Sequence, residues 1–339
     1  MAPYQELEKK YSEFVGTKYG CATNTGTAAL HLALEALKVT EKLPVNTQVV
    51  VPDFTMYATA LAVHYARLHP VFIDCDENLL LDIKKLEKHF NKAVNIQRTN
   101  VIIVTHVYGR MVDMDGIRYI ADKYKCRIIE DACEAQGAML PKPELRQTKM
   151  AGSFDIGCWS FYRNKIVHAE EGGMITSNDE ALIKVANDMK NMSFGDNHNY
   201  HHERIGFNYR MPDCQANMAL YSLGKVEQNM LTRHKMCELY NMHIKSEYQM
   251  PNNRKAVWVY DMSHPNPDKV VSELNKKGII ARHAFKPMST QPLFGHWDIG
   301  KQAVYYSKNV FYVNVDPNEH IDIIKQKAKI INEICDEYV

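Results

Sequence analysis

The sequence predicts an α/β protein in which a mainly parallel sheet lies between layers of helices, followed by a smaller α+β domain. Four short runs, rich in Val and Ile and apolar on both faces, are predicted strands: residues 48–51, 70–73, 101–105 and 127–131. The stretches of helical periodicity that accompany them are residues 27–37, 55–65, 83–92 and 114–124. Short strands buried on both faces and alternating with helices are typical of a parallel sheet.

The smaller domain is predicted because the regular alternation of strand and helix stops past Thr232. A long amphipathic helix is expected over residues 213–230, just before that point. Beyond it we expect strands at residues 257–262 and 278–281, and helices at residues 267–277 and 318–338. Because 339 residues suit two lobes, we predict a large domain over residues 1–225 and a small domain over residues 226–339.

Composition and charge describe an ordinary globular protein and argue against several classes of partner. Apolar residues make up 45% of the chain, and the formal charge of +1 gives no support for a nucleic-acid or membrane-surface partner. No apolar run approaches the roughly 20 residues of a membrane span. Eight cysteines without a CxxC pair predict reduced thiols and a cytoplasmic protein. His198, His201 and His202 lack the spacing of a metal site, so no metal is expected.

A small-residue turn, TNTGTAA (23–29), follows the first predicted strand at residues 19–22 and opens a helix. Free backbone N–H groups and the helix dipole point at the same place in such a turn, so it can bind an anion. A plain helix cap by Thr25 explains the same residues equally well. The sequence leaves both interpretations open.

Two carboxylates, Glu130 and Asp131, end the predicted strand at residues 127–131. Ligands bind beyond the carboxyl ends of parallel strands, so residues at this position are candidates for a site. A carboxylate there is costly to leave unpaired, and Asp131 therefore requires a cationic side chain, a metal or a protonated ligand ring. The alternative is that Asp131 caps the following helix.

A polar turn carrying Lys165 joins two further predicted strands, residues 158–162 and 172–176, that face each other. Lys165 is either a solvated turn residue or an amine withdrawn from water that adds to a carbonyl. Together with the anion-binding turn and the strand-end Asp131, such an amine completes the three contacts that pyridoxal phosphate requires. These contacts are to its phosphate, its ring nitrogen and its aldehyde.

The chain resembles the DegT/DnrJ/EryC1/StrS sugar aminotransferases from about residue 11 to residue 315. The matching motifs, in family order, are TGTAALHLALEAL (25–37), VVVPDFTMYATA (49–60), PVFIDCDE (70–77), HVYGRMVDMDGI (106–117), IIEDACEAQGA (128–138), GSFDIGCWSFYRNK (152–165), EEGGMITSNDE (170–180) and GFNYRMPDCQA (206–216). The resemblance implies the pyridoxal-phosphate-dependent transferase fold type I, with a seven-stranded and mainly parallel sheet.

The same resemblance implies roles for particular residues. Lys165 would bond to the cofactor aldehyde and move protons between substrate and cofactor, and Asp131 would pair with the protonated ring nitrogen. The residues implied to bind the cofactor phosphate are Gly26, Thr27, Ser160 and, from the other subunit of a homodimer, Asn208.

The sequence departs from the family pattern at several positions. Met56 stands where many members place Phe or Trp over the cofactor ring, so stacking must come from its thioether or from Tyr57. Glu134 replaces a common Gln, a variant associated with enzymes that make perosamine-like 4-amino sugars. Residues 285–289 lack the histidine often found beside the proline, and the chain begins later than the family pattern.

The function implied by the resemblance is transfer of an amino group, with L-glutamate as donor, to a nucleotide-linked 4-keto-6-deoxy sugar. Transfer to a 3-keto sugar is the second enzymatic interpretation. A related dehydratase has histidine in place of the lysine, so Lys165 argues against that activity. A non-catalytic relative that binds cofactor or sugar as a regulatory protein is the alternative from another class.

Overall fold

A seven-stranded sheet lies at the centre of the larger part of the fold. The computed structural model describes residues 1–92, 98–142, 147–195, 200–295 and 300–339. In spatial order the strands are β1 (Tyr19–Thr23), β9 (Gly173–Ser177), β8 (Ile156–Ser160), β5 (Arg127–Asp131), β4 (Thr99–Thr105), β2 (Gln48–Pro52) and β3 (His69–Ile73). The strands from β8 to β3 are parallel neighbours, whereas β9 runs antiparallel to β8 and β1. The predicted mainly parallel sheet is therefore confirmed.

Helices cover both faces of this sheet because its strands are apolar on both sides. Val50 and Ile102 belong to a hydrophobic core on one face, and their neighbours Val49 and Val101 belong to a second core on the other face. The helices of this part are α1 (Pro3–Val15), α2 (Gly26–Thr40), α3 (Tyr57–Tyr65), α4 (Ile83–Phe90), α5 (Met114–Tyr124), α6 (Glu180–Lys190) and α7 (Asp213–Leu223). A hairpin, β6 (Met139–Lys142) and β7 (Gln147–Met150), stands apart from the main sheet.

The carboxyl-terminal part contains a three-stranded antiparallel sheet. Its strands are β10 (Val259–Ser263), β12 (Val310–Asn314) and β11 (Ala281–His283), in spatial order. Its helices are α8 (Val226–His243), α9 (Pro267–Lys276), α10 (Lys301–Asn309) and α11 (Ile321–Glu337). A separate hydrophobic core, formed by residues between Met236 and Cys335, packs these elements together. No helix of the described residues is long and apolar enough to cross a membrane.

Several predicted element boundaries differ from those of the structure. The single helix expected over residues 213–230 is two helices, α7 and α8, and the break falls at Gly224, a residue with low helix propensity. The strand expected over residues 278–281 starts only at Ala281, because Gly278 ends the preceding helix with a φ of +78°. The strand expected at residues 158–162 is β8, Ile156–Ser160.

Candidate active site

A cavity of about 330 Å³ lies at the carboxyl ends of the parallel strands. One wall is formed by the last residues of the sheet strands β4, β5 and β8 and by the start of α2. The opposite wall comes from the carboxyl-terminal part, through Trp258, Arg282, Phe285 and Tyr312. The predicted site residues that line the cavity are Gly26, Thr27, Met56, Asp131, Glu134, Ser160 and Lys165. The structure thus brings together residues that are far apart in the sequence.

Lys165 lies in the turn between β8 and β9 and is 8% exposed, which excludes a solvated turn lysine. Its backbone N–H donates to the Tyr162 carbonyl over 2.8 Å, and this bond holds the turn closed. Its Nζ lies 3.9 Å from Glu134 Oε1 and 3.7 Å from the centroid of the Trp258 ring. Among the described residues the amine donates no hydrogen bond, so a buried amine is left available for chemistry.

Asp131 is the last residue of β5 and is 4% exposed. Thr59 Oγ1 donates to its Oδ2 over 2.6 Å, and the Cys133 amide donates to its Oδ1 over 3.3 Å. No helix begins in residues 132–138, so the alternative of a helix cap is wrong. No cationic side chain of the described residues forms a salt bridge with this carboxylate. A buried carboxylate of this kind fits a cationic ligand group.

A chain of hydroxyl groups fixes the orientation of Asp131. Thr55 Oγ1 donates to Thr105 Oγ1 over 2.9 Å and lies 3.0 Å from Thr59 Oγ1, which in turn donates to Asp131. Thr55 follows β2, Thr59 lies in the first turn of α3, and Thr105 ends β4. None of the three was recognised from the sequence. Their only sequence signal is their position at the carboxyl ends of buried strands or at the following helix start.

Glu134 is a buried carboxyl group between Lys165 and the Tyr108 backbone. Its Oε2 accepts a hydrogen bond from the Tyr108 amide over 2.9 Å. Burial raises the pKa of Glu134 to about 7, although Lys165 and the Tyr108 amide act in the opposite direction. Tyr108 has a φ of 52°, a left-handed conformation that is uncommon for a bulky residue and that presents its amide to Glu134.

The turn before α2 packs closely against the end of β8. Thr25 Oγ1 accepts a hydrogen bond from the Ala28 amide over 3.0 Å, so the predicted helix cap is confirmed. A Cβ atom at Gly26 would lie 2.8 Å from Ser160 Cβ, so only glycine permits this approach. The start of α2 and the Ser160 hydroxyl therefore face the same end of the cavity, where the helix dipole favours an anion.

Two predicted site residues occupy more peripheral positions. Met56 is 47% exposed at the start of α3, where its Sδ accepts a hydrogen bond from the Ala58 amide over 3.1 Å. Asn208 does not line the cavity of its own chain. It forms a backbone bridge with Asn191 and lies at a separate surface depression together with Lys190 and Arg210.

The described residues contain no group of three or more His, Cys, Asp or Glu side chains arranged to hold a metal ion, and His198 lies outside them. The donor set of the cavity fits pyridoxal phosphate instead. The Lys165 amine matches an aldehyde, the unpaired Asp131 carboxylate matches a protonated ring nitrogen, and the start of α2 matches a phosphate. The fold and the site thus define the class of pyridoxal-phosphate-dependent enzymes.

The chain belongs to the DegT/DnrJ/EryC1/StrS aminotransferase family, whose sequence profile matches residues 2–321. It is 33% identical over 305 residues to GDP-perosamine synthase of Caulobacter vibrioides, covering 86% of this chain and 78% of that protein. It is 30% identical over 294 residues to UDP-2-acetamido-2-deoxy-3-oxo-D-glucuronate aminotransferase of Pseudomonas aeruginosa, covering 85% of this chain and 78% of that protein.

The fold is that of solved members of the family. A family aminotransferase from Brucella abortus superposes with a TM-score of 0.87 at 24% identity, covering 98% of this chain and 90% of that structure. The expected transferase fold is therefore confirmed. The protein is an aminotransferase of the nucleotide-sugar class, and its cofactor is pyridoxal phosphate.

Proposed function

We propose that the enzyme transfers an amino group from L-glutamate to a 4-keto-6-deoxy sugar linked to a nucleoside diphosphate. The observation that carries this proposal is the combination of groups in one cavity. The buried Lys165 amine and the buried Asp131 carboxylate stand opposite Arg282, an exposed guanidinium that forms no salt bridge with any described carboxylate. Guanidinium groups bind phosphates and carboxylates, and the proposed sugar nucleotide and amino donor carry these groups.

Pyridoxal phosphate, when bound, supplies an aldehyde that bonds to amines and a ring that takes up electrons. The Gly26 and Thr27 amides and the Ser160 hydroxyl would hold its phosphate at the start of α2. Met56 would pack against its ring. Asp131 Oδ2, oriented by Thr59, would hold a proton on the ring nitrogen.

The proton transfers belong to Lys165 and its neighbour Glu134. Lys165 Nζ would take a proton from the carbon that carries the amino group of glutamate, and would return a proton to the former keto carbon of the sugar. Glutamate leaves as 2-oxoglutarate, and the sugar leaves with the amino group. Glu134, with a pKa of about 7 and an oxygen 3.9 Å from the amine, can exchange protons with it near neutral pH.

The choice of the 4-keto position is supported by Glu134 and by similarity to a protein named for perosamine, a 4-amino sugar. Similarity to a relative that is named for a 3-oxo sugar supports a 3-keto substrate as the second candidate. We would incubate the enzyme with L-glutamate and a matched panel of nucleotide-linked 4-keto and 3-keto sugars, and identify products by mass spectrometry. Faster amination of 4-keto sugars is expected. Turnover of 3-keto sugars alone would contradict the proposal.

We also propose a homodimer in which Asn208 completes the active site of the partner subunit. In its own chain Asn208 lies outside the cavity, between Phe207 and Tyr209, whose rings stack 5.0 Å apart. Ile205 and Met192, close to this loop, are 73% and 40% exposed. Exposed apolar side chains grouped around one loop favour an interface, and a two-fold interface would use the loop twice.

A mixing experiment tests the shared site. Inactive Lys165→Ala and Asn208→Ala chains should regain activity when their subunits exchange, because one site of the heterodimer then has both intact residues. Light scattering and a tag on one chain would verify that heterodimers form. Heterodimers with no activity beyond that of the parent proteins would show that Asn208 does not serve the partner.

The compartment and the domain boundary complete the proposal. We place the enzyme in the cytoplasm, because all eight cysteines are free and such thiols are typical of a reducing compartment. We place the boundary between the large and small domains at residues 225 and 226, where the chain passes from α7 to α8. Limited proteolysis followed by mass spectrometry would test this boundary.

A further inference from the structure

Arg233, on α8, is a buried arginine with an unusual set of partners. It is 4% exposed and forms no salt bridge with any carboxylate of the described residues. Its Nη1 donates to the Trp258 carbonyl over 3.0 Å, and its Nη2 donates to the Asn164 carbonyl over 3.3 Å. Burial lowers the pKa of its guanidinium to about 10. A buried charge is costly unless it is paired, so a role beyond filling space is indicated.

Trp258 precedes β10 and contacts the turn that carries Lys165. Its ring lies 3.7 Å from Lys165 Nζ, within the range of a cation–π interaction. Its Nε1 donates to Asn164 Oδ1 over 3.3 Å, which ties the indole to the residue before the lysine. The ring packs against those of Tyr108 and Tyr312, with centroids 6.0 Å and 5.8 Å away. The indole is therefore fixed from more than one side.

The two residues converge on the same short segment. Arg233 contacts the main chain of Asn164, and Trp258 contacts both the Asn164 side chain and the Lys165 amine. The segment itself belongs to the turn between β8 and β9, whereas both contacting residues come from the carboxyl-terminal part of the chain.

The lysine needs such support because its amine ends a long and flexible side chain. No hydrogen bond among the described residues orients Nζ, and Glu134 is 3.9 Å away. Proton transfer depends strongly on position, and an error of about 1 Å can cost on the order of a hundredfold in rate. The face of Trp258 limits where the free amine can lie, and Arg233 limits the movement of the main chain that carries it.

We propose that Trp258 and Arg233 are positioning residues that hold the Lys165 amine in place for proton transfer. The inference rests on the proposed role of Lys165. It extends the active site to α8 and to the segment before β10, neither of which contains a motif of the cofactor site.

The test compares disruptive with conservative variants in the cofactor-loaded enzyme. Trp258→Leu and Arg233→Met should each lower kcat by about tenfold or more, while the KM for the sugar nucleotide stays within about twofold. Trp258→Phe keeps an aromatic face and Arg233→Lys keeps a donor, so both should recover most of the lost kcat. Trp159→Phe is the matched control, because Trp159 is fully buried and donates to Thr176 Oγ1 away from Lys165.

A second measurement does not require turnover. Circular dichroism in the visible absorption band of the bound cofactor reports how rigidly the cofactor is held. We expect this signal to decrease in Trp258→Leu and Arg233→Met. It should be retained in Trp159→Phe, even if thermal unfolding shows that this control is destabilised as much as the two disruptive variants. Partial signals are expected from the two conservative variants, which also serve if a disruptive variant fails to fold.

The outcomes separate this inference from the proposed function. Wild-type kcat and dichroism in both disruptive variants would overturn the inference. A parallel loss in the conservative variants and in Trp159→Phe would also overturn it, because the effect would then be one of general stability. If the wild-type enzyme aminates no 4-keto sugar, the proposed substrate fails, while the dichroism still decides whether Trp258 and Arg233 position Lys165.

Discussion

The two walls of the cavity differ in their chemistry and in how they are held. The wall from the main sheet is polar, and its reactive groups stand at strand ends, where hydroxyl and amide hydrogen bonds fix Asp131 and Glu134. The opposite wall consists of Trp258, Phe285, Tyr312 and Arg282 and offers aromatic faces and one guanidinium. On our proposals, one wall supplies the reactive groups, whereas the other positions the lysine and the substrate.

The contact between the two parts is itself a buried ionic network. Arg110, which follows β4, pairs with Asp261 on β10 over 2.8 Å, and Asp261 also pairs with Arg254 over 2.5 Å. All three side chains are almost completely buried. Removal of one partner from such a network strongly destabilises a protein, because a charge is left without compensation. This network therefore holds the two walls in a fixed position relative to each other.

The largest effect is expected on the sheet wall, from Asp131→Asn. This change keeps the shape of the side chain but removes the charge that would hold a proton on the cofactor ring. Loss of one partner of an ion pair in a water-poor site costs about 3–5 kcal/mol, and roughly 1.4 kcal/mol corresponds to tenfold in rate. Steady-state kinetics should therefore show a loss of about a thousandfold in kcat.

Asp155→Asn is a control for this prediction. Asp155 accepts hydrogen bonds from the Ile128 amide and the Arg118 guanidinium, but it does not line the cavity. It should affect stability more than kcat. A loss of under about tenfold in Asp131→Asn would show that Asp131 has a structural role and that another group faces the ring nitrogen.

An effect of intermediate size is expected from Glu134→Gln, which should change how the free energy of unfolding depends on pH. Burial raises the pKa of Glu134 from 4.5 to about 7 in the folded protein. The contribution of this carboxyl group to the free energy of unfolding is therefore fully present below pH 4.5. This contribution is lost as the pH rises through 7. At roughly 1.4 kcal/mol for each pKa unit, the loss is on the order of 3 kcal/mol.

Urea unfolding of the protein freed of cofactor, measured from pH 5 to pH 8, would test this effect. The stability of the wild-type protein should fall relative to that of Glu134→Gln, because the amide does not titrate. Parallel curves for the two proteins would contradict a raised pKa at this position.

The smallest effect is expected on the opposite wall, from Arg282→Ala. If Arg282 binds the anionic part of the substrate, its loss should raise the KM for the sugar nucleotide by about tenfold and leave kcat nearly unchanged. Arg163→Ala is the matched control, because Arg163 is exposed and paired with Glu170. An unchanged KM in Arg282→Ala would show that Arg282 does not bind the anionic part of the substrate.

Much of the sheet wall could be predicted from the sequence, because Asp131, Gly26 and Lys165 each lie in a continuous segment with a local physical signal. Asp131 follows a run of apolar residues, and Gly26 lies in a small-residue turn that opens a helix. A polar or small residue at such a position is difficult to explain by packing alone. The same reasoning located Lys165 between two strands that pair in the structure.

The opposite wall could not be predicted in this way. Trp258 lies within the predicted strand at residues 257–262, where an aromatic residue indicates only a hydrophobic core. Arg233 lies just beyond the predicted helix at residues 213–230, where an arginine indicates only a solvated surface. Their contacts with Asn164 span 94 and 69 residues of sequence, so they follow from the packing of the two parts and from no local pattern.

We expect Lys165 to be the lysine that bonds to the cofactor, and the most direct test is to identify that lysine. Borohydride reduction of the cofactor-loaded enzyme makes the bond permanent, and peptide mass spectrometry then locates it. We predict that the cofactor is found on the peptide that contains Lys165. Attachment to another lysine, such as Lys190, which is also buried but paired with Glu8, would contradict the account.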